Sequence, residues 1–228
     1  MSVWAVLAAA GRGERLEADR PKAFAQLDGR PLLAESLQRL EASAWIDSIV
    51  VVAPPGWEEP VILLAEELGC GKVVASVAGG ESRAASVRIG VGEVADDAAV
   101  ILVHDAARPL VSELVVERLL GALNEGWDGA VPGLGLPDTV KRVREGAVVE
   151  TLPRGELRGV QTPQAFVATV LRAAVAGGDE ATDCSSLVET RGGRVTVVEG
   201  DPRLLKVTTA DDLALVESWL GGSSSDAP

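Results

Sequence analysis

Residues 3–8 run Val-Trp-Ala-Val-Leu-Ala without a charged position or a turn residue, the pattern of a strand buried on both faces. Short apolar runs, partly β-branched, recur at 49–53, 73–77, 99–103 and 129–131. Between them, 32–41, 58–68, 82–91 and 112–123 place apolar residues at helical spacing. This alternation predicts an α/β fold on a doubly wound, mostly parallel sheet with right-handed crossovers. The rhythm breaks at 139–152, where Val140, Val143 and Val148 alternate with charged neighbours and Glu145-Gly146 supplies a turn, so a β-hairpin is expected. Inserted in such a core, the hairpin is an exposed arm at about 137–154. Exposed strand edges call for a cover, and a homodimer supplies one economically. Residues 1–220 are expected to form a single domain carrying this arm, with 221–228 as a disordered tail.

The first strand runs into small residues, Ala9 to Gly13, where a backbone can approach a ligand closely and turn its N–H groups toward an anion. Arg12, Arg15, Arg20 and Lys22 follow, four cations within eleven residues. Pro21 stiffens the segment that presents Lys22. The stretch is neither a P-loop, which needs G-x-x-x-x-G-K-[ST], nor a dinucleotide fingerprint, because Leu16 stands at the third glycine position. It reads as a phosphate-handling edge of the sheet. An ordinary strand-to-loop turn with solvated arginines meets the same local pattern.

Composition narrows the class. The 228 residues are 47% hydrophobic but only 3% aromatic, so the core must be Val, Leu and Ala. No apolar run approaches the roughly 20 residues of a membrane span, and Met1 leads directly into the first strand with no signal-peptide pattern. Cys70 and Cys184 lack neighbours at zinc spacing and read as idle thiols of a reducing, cytoplasmic compartment. A formal net charge of −13 argues against nucleic-acid polymers as partners, yet leaves room for one small anion where cations cluster.

Further polar groups sit beyond other strand ends. In Ala78-Gly-Gly-Glu-Ser-Arg-Ala-Ala-Ser86, Ser82 can cap a helix, and Gly80 with Ser86 can meet a nucleoside; a plain strand-to-helix turn is equally consistent. Val103-His-Asp-Ala-Ala-Arg-Pro109 puts Asp105 and Arg108 where open α/β sheets bind ligands. His104, the only histidine, fits a structural hydrogen-bonding role better than a general base. Lys206 is a lone cation in the apolar run 204–207, read as a strand, and Thr208 or Thr209 can cap the helix that follows.

Taken together, LAAAGRGERL-x5-PKAF, GGESRAAS, VHDAARP, VQTPQAF, ATDCSSLVE and LLKVTTADDL resemble, in order and spacing, the 2-C-methyl-D-erythritol 4-phosphate cytidylyltransferases. The resemblance spans residues 3–220. It implies a Rossmann-like, GT-A-like nucleotidyltransferase with a dimerising β-arm, which uses CTP, methylerythritol phosphate and Mg²⁺ to make 4-diphosphocytidyl-2-C-methyl-D-erythritol and pyrophosphate in non-mevalonate isoprenoid synthesis. Ala9, Ala10 and Gly11 then match phosphate contacts, and Arg15 and Lys22 the transition-state cations. Gly80 and Ser86 match cytidine contacts; Asp105 and Lys206 match the carboxylate and lysine around the phosphates. Arg108 and Thr162 fall among the acceptor contacts, joined across the dimer by Thr139 and Arg154. The metal is expected mainly on the CTP phosphates, with Asp105 as the one protein candidate. Cys184, where relatives often carry an acid, and Glu81, where aspartate is also found, depart from the pattern. A ribitol 5-phosphate or other polyol-phosphate cytidylyltransferase shares the same loops, and a non-catalytic CTP sensor would share the nucleotide contacts. A glycosyltransferase would show Asp-x-Asp at a strand end, where this chain has one Asp.

Overall fold

The computed structural model describes residues 2–11 and 20–222. The expected catalytic Arg15, with Arg12, lies outside the described residues, as do 223–228 of the expected tail. In chain order the elements are β1 (Val3–Ala8), β2 (Gln26–Leu27), β3 (Arg30–Pro31), α1 (Leu32–Ala42), β4 (Ser48–Ala53), α2 (Glu58–Glu67), β5 (Val73–Ala78), α3 (Arg83–Gly92), β6 (Val100–Asp105) and α4 (Glu113–Asn124). They continue with β7 (Gly129–Gly135), β8 (Val140–Arg144), β9 (Ala147–Leu152), β10 (Arg158–Val160), β11 (Gln164–Val167), α5 (Ala168–Val175), α6 (Cys184–Thr190), β12 (Val195–Glu199) and α7 (Ala210–Gly222). The last helix takes in Gly221 and Gly222, the first two residues of the expected tail.

The main sheet has the order β10-β7-β11-β6-β1-β4-β5, with β12 alongside β7. Its centre is parallel: β1 lies between β4 and β6, and β5 extends the β4 edge. One departure from the sequence pattern is β11, which slots antiparallel between β6 and β7. Hydrophobic runs report burial and not direction, so the insertion had no signature.

Alternation along the strands builds a core on each face. Ala5, Leu7, Ile49, Val51, Val100 and Leu102 pack on one side with α1, α2 and α4. Val6, Val50, Val52, Ile101 and Val103 pack on the other with α3, α5 and α6. A small third cluster, Leu27, Leu32, Leu110, Val207 and Val216, seats α7. The hairpin forms as expected, β8 and β9 pairing only with each other around Glu145 (φ 49°) and Gly146 (φ 79°), the left-handed pair of a tight hairpin turn.

How closely α3 approaches the sheet is set by Gly90. A β-carbon there would come within 2.6 Å of both Val6 and Val52, whereas at Gly92 it would meet nothing within 4 Å. Gly90→Ala should therefore cost about 1–3 kcal/mol of stability by overpacking. Gly92→Ala in the same helix should be neutral or stabilising by up to about 1 kcal/mol. Chemical denaturation of the two variants checks this, and equal midpoints would show that the contact is not limiting.

Candidate functional site

β1, β4 and β5 are laid down in one direction across the sheet, and β6 then returns to the other side of β1. The carboxyl ends of β1 and β6 thus mark a switch point, with Ala8 directly paired to Asp105. A cleft of about 550 Å³ opens there, in the range of small-molecule sites. The loop after β1, the turn at Lys22, the loop from β5 into α3, the residues after β6, and Lys206 with Thr208 line it.

Small residues let these loops meet. Ala9 donates its amide to the Val52 carbonyl (2.9 Å), so its N–H is spent on the sheet and Ala10 and Gly11 carry the backbone onward along the cleft. A β-carbon on Gly79 would lie 2.2 Å from that of Ala10, and one on Gly80 would lie 2.7 Å from that of Ala85. The Gly80 amide donates to Ser86 Oγ (3.1 Å), which folds the loop onto the first turn of α3. Ser82 caps that helix, accepting from the Ala85 amide at 3.1 Å. On the opposite wall, a 3-10 turn (Lys22–Phe24) is anchored by buried Ala23 and Phe24, the Phe24 ring lying 4.4 Å from that of Trp57. A buried apolar anchor thus positions Lys22 at the cleft.

Asp105 occupies the base. Its Oδ1 accepts from Arg83 Nε (3.1 Å) and Nη2 (3.0 Å), and its Oδ2 accepts from Lys206 Nζ (2.7 Å). Burial alone would raise the carboxyl pKa, but the charges of Arg83 and Lys206 outweigh it and hold the group well below the usual carboxylate range. Beside it, burial pushes the Cys184 thiol up to about 11, so this cysteine stays a neutral packing group.

Lys206 reaches Asp105 by a route the sequence pattern misread. Residues 204–207 do not form a strand. Instead the Val207 amide bonds the Ala107 carbonyl (2.8 Å), Arg108 Nη1 bonds the Leu204 carbonyl (2.6 Å), and the buried Leu204 and Val207 side chains pin the segment. Thr209 caps α7, accepting from the Asp212 amide (3.2 Å), while the Asp212 carboxylate takes the amides of Thr208 and Thr209 (2.8 and 2.9 Å).

Lys22, Ala9, Ala10, Gly11, Gly80, Ser86, Asp105 and Lys206 therefore converge on one cleft. Arg108 and Thr162 lie next to its base without lining it; the Thr162 hydroxyl is engaged with His104 and the Asp105 amide. Thr139 and Arg154 are exposed at the root of the arm, where Arg154 bonds the Pro137 carbonyl and borders a separate cavity with Arg158 and Glu199. The sequence pattern places Arg83 beside Ser86 on the nucleoside side of the loop but does not pair it with Asp105, which the structure does. Its position at the first residue of α3, where a cation is disfavoured by the helix dipole, was the available hint of an anionic partner.

Comparison with known proteins agrees with this architecture. Residues 3–222 match the family described as IspD: 2-C-methyl-D-erythritol 4-phosphate cytidylyltransferase. A protein of that name from Saccharopolyspora erythraea is 45% identical over 225 residues, covering 96% of this chain and all of the relative. One from Nocardia farcinica is 44% identical over 96% of this chain and 94% of the relative. Among solved structures, the 2-C-methyl-D-erythritol 4-phosphate cytidylyltransferase of Thermus thermophilus superposes with a TM-score of 0.77 at 36% identity, covering 95% of this chain and 98% of that one. The 4-diphosphocytidyl-2C-methyl-D-erythritol synthase of Anaerococcus prevotii gives 0.84 at 26% identity, covering 96% and 98%. A cation-lined cleft at the switch point and sequence identity along nearly the whole length lead to one conclusion: the chain belongs to the 2-C-methyl-D-erythritol 4-phosphate cytidylyltransferase family.

Proposed function

We propose that this chain transfers CMP from CTP to 2-C-methyl-D-erythritol 4-phosphate, releasing pyrophosphate and 4-diphosphocytidyl-2-C-methyl-D-erythritol. The observation that carries this reading is the pair of cations, Arg83 and Lys206, held by Asp105 at the base of a cleft that Lys22 faces from the opposite wall. A phosphate monoester has a second pKa of about 6 and is already substantially anionic near neutrality, so it attacks without a general base. Its oxygen forms a bond to the α-phosphorus while the α–β bridging bond breaks, and pyrophosphate leaves with the electron pair. The task left to the protein is to hold two anions together and to stabilise the charge gathering on the α-phosphate. In this reading Lys22, Lys206 and Arg15 meet that charge. The backbone of Ala10 and Gly11 follows the phosphates, with Ala9 as wall. Gly80 and Ser86 face the cytidine, and Arg108 with Thr162 stands on the acceptor side.

Among the described residues no three His, Cys, Asp or Glu side chains converge, and both oxygens of Asp105 are taken by cations. These residues do not build a cage for Mg²⁺. The ion is better held by the oxygens of CTP. Likewise, no helix among the described residues is long and apolar enough to cross a membrane. A cytoplasmic site of action suits a nucleotide and a sugar phosphate as substrates.

The homodimer belongs to the same proposal. Val143, Val148 and Val149 are 54%, 61% and 52% exposed on a two-stranded sheet, which is marginal by itself in water. A second copy covering the arm would bring Thr139 and Arg154 to the partner's acceptor side, since neither lines the cleft of its own chain.

Pyrophosphate should appear with CTP and methylerythritol phosphate together and not when either is omitted. Ribitol 5-phosphate is tested in parallel. Efficient CDP-ribitol formation without a methylerythritol product would overturn the acceptor, and nucleotide binding without turnover would leave a CTP sensor. Lys22→Ala should lower kcat by about a hundredfold in a chain that still folds; turnover near that of the unmodified protein would remove Lys22 from the machinery. Mixing inactive Lys22→Ala with inactive Arg154→Ala chains should restore part of the activity, because a mixed dimer contains one undamaged site. Heterodimers shown to form yet remaining inactive would refute shared sites.

A further inference from the structure

Next to the cleft lie two buried polar groups, His104, to which the transfer chemistry gives no part, and Thr162, placed above on the acceptor side with no contact specified. His104 is 0% exposed and Thr162 is 5% exposed. The imidazole Nε2 is 3.0 Å from the Arg108 carbonyl oxygen, and Nδ1 is 3.1 Å from Thr162 Oγ1. The same hydroxyl oxygen accepts from the Asp105 amide at 3.0 Å.

For a neutral ring protonated at Nε2, these contacts give each proton a direction. A carbonyl oxygen only accepts, so Nε2 carries the imidazole proton and Nδ1 of the neutral ring must accept. The donor within hydrogen-bond distance of Nδ1 is then the Thr162 hydroxyl. The hydroxyl oxygen in turn takes the Asp105 N–H. The chain therefore runs from the Asp105 amide to the Thr162 oxygen, from the Thr162 hydroxyl to His104 Nδ1, and from His104 Nε2 to the Arg108 carbonyl. The single proton of Thr162 is committed inward, whereas a phosphate monoester dianion offers nothing but acceptors.

Both ends of this hydrogen-bond chain touch the base of the cleft. Asp105 holds Arg83 and Lys206, and Arg108, whose amide also bonds the Asp105 carbonyl at 2.9 Å, reaches the Leu204 carbonyl in the segment that presents Lys206. We infer that His104 and Thr162 are a positioning pair: they clamp the 105–108 turn, and Thr162 acts through His104 and not by donating to the acceptor's phosphate. The kinetic consequence rests on the cytidylyl-transfer reading; the proton arrangement does not.

The experiment has two arms. His104 is the only histidine of the chain, so its ring signals are unambiguous in long-range ¹H–¹⁵N spectra of the tag-free protein. The expected spectrum is a neutral Nε2–H tautomer with Nδ1 hydrogen-bonded as acceptor at pH 7. The ring should stay neutral through its ordinary pKa of 6.5, because burial pushes it down to about 4. Asp105 favours the charged ring and Arg108 opposes it, while Arg83 and Lys206 draw Asp105's charge to themselves. Since the folded value is the lower one, the stability that depends on the neutral ring is full above pH 6.5 and is lost as pH falls toward 4. An Nδ1–H tautomer or an imidazolium at pH 7 overturns the inference, whatever reaction the protein performs.

The second arm is kinetic. Thr162→Val and His104→Gln should each lower kcat by between about tenfold and a hundredfold through misplacement of Asp105, leaving the acceptor KM within about threefold. The double variant should be no worse than the poorer single one, and Thr162→Ser should recover to within about threefold of the unmodified protein. A tenfold rise in acceptor KM for Thr162→Val, multiplying with His104→Gln, would make Thr162 a direct ligand and refute the pair. If a variant fails to fold, Thr162→Ser and the spectra decide. If the unmodified protein transfers nothing to methylerythritol phosphate, the functional reading fails and the tautomer still stands or falls alone.

Discussion

A carboxylate as buried as Asp105 would take up a proton if left alone, and it stays ionised because three N–H donors from two cations close on its oxygens. That one cluster joins parts of the chain that are far apart in sequence. Asp105 ends a central strand, Arg83 opens α3, and Lys206 stands 101 residues further on in a segment with no sheet partner. Removing the carboxylate would leave the partly buried Arg83 and Lys206 facing each other without an anion, whereas removing either cation would leave Asp105 paired with the other. The cleft is therefore assembled electrostatically, while the cores on either side of the sheet set where the three elements can stand.

Close backbone approach is the second constraint. The loop after β1 and the loop after β5 touch through Ala10 and Gly79, where a single added methyl would collide. Small side chains keep the amides of these loops near a common space, and Ser86 and Ser82 spend their hydroxyls on folding the loop into the helix. The low aromatic content is consistent with such a fold, since Ala, Val and Leu allow tight layers. One of the few aromatics present is used where rigidity matters, as Phe24 against Trp57 behind Lys22.

Much of this was legible in the residues themselves. Apolar runs of strand length alternating with helical periods mark the five strands of the pattern and their helices, and the Glu145-Gly146 turn marks the hairpin. Asp105 and Lys206 stand out as polar residues ending or interrupting apolar runs. What stayed hidden has a common cause: it depends on pairing across the chain. The antiparallel entry of β11 leaves no trace in its own hydrophobicity. The run 204–207 imitates a strand because Leu204 and Val207 are buried, although their backbone serves Ala107 and Arg108. The Thr162 hydroxyl meets a histidine 58 residues away, a contact that no local pattern announces.

The net charge of −13 makes the cluster's design intelligible. An acidic protein that binds a polyanion must concentrate cations locally, yet Arg83 and Lys206 brought together without an anion would repel and splay apart. Asp105 resolves this by pairing with both, which holds the two cations side by side. The arrangement has a cost, because part of each cation's field is spent on the carboxylate. Lys22 lines the same cleft as this paired group, so the cleft combines cations from three separate stretches of the chain.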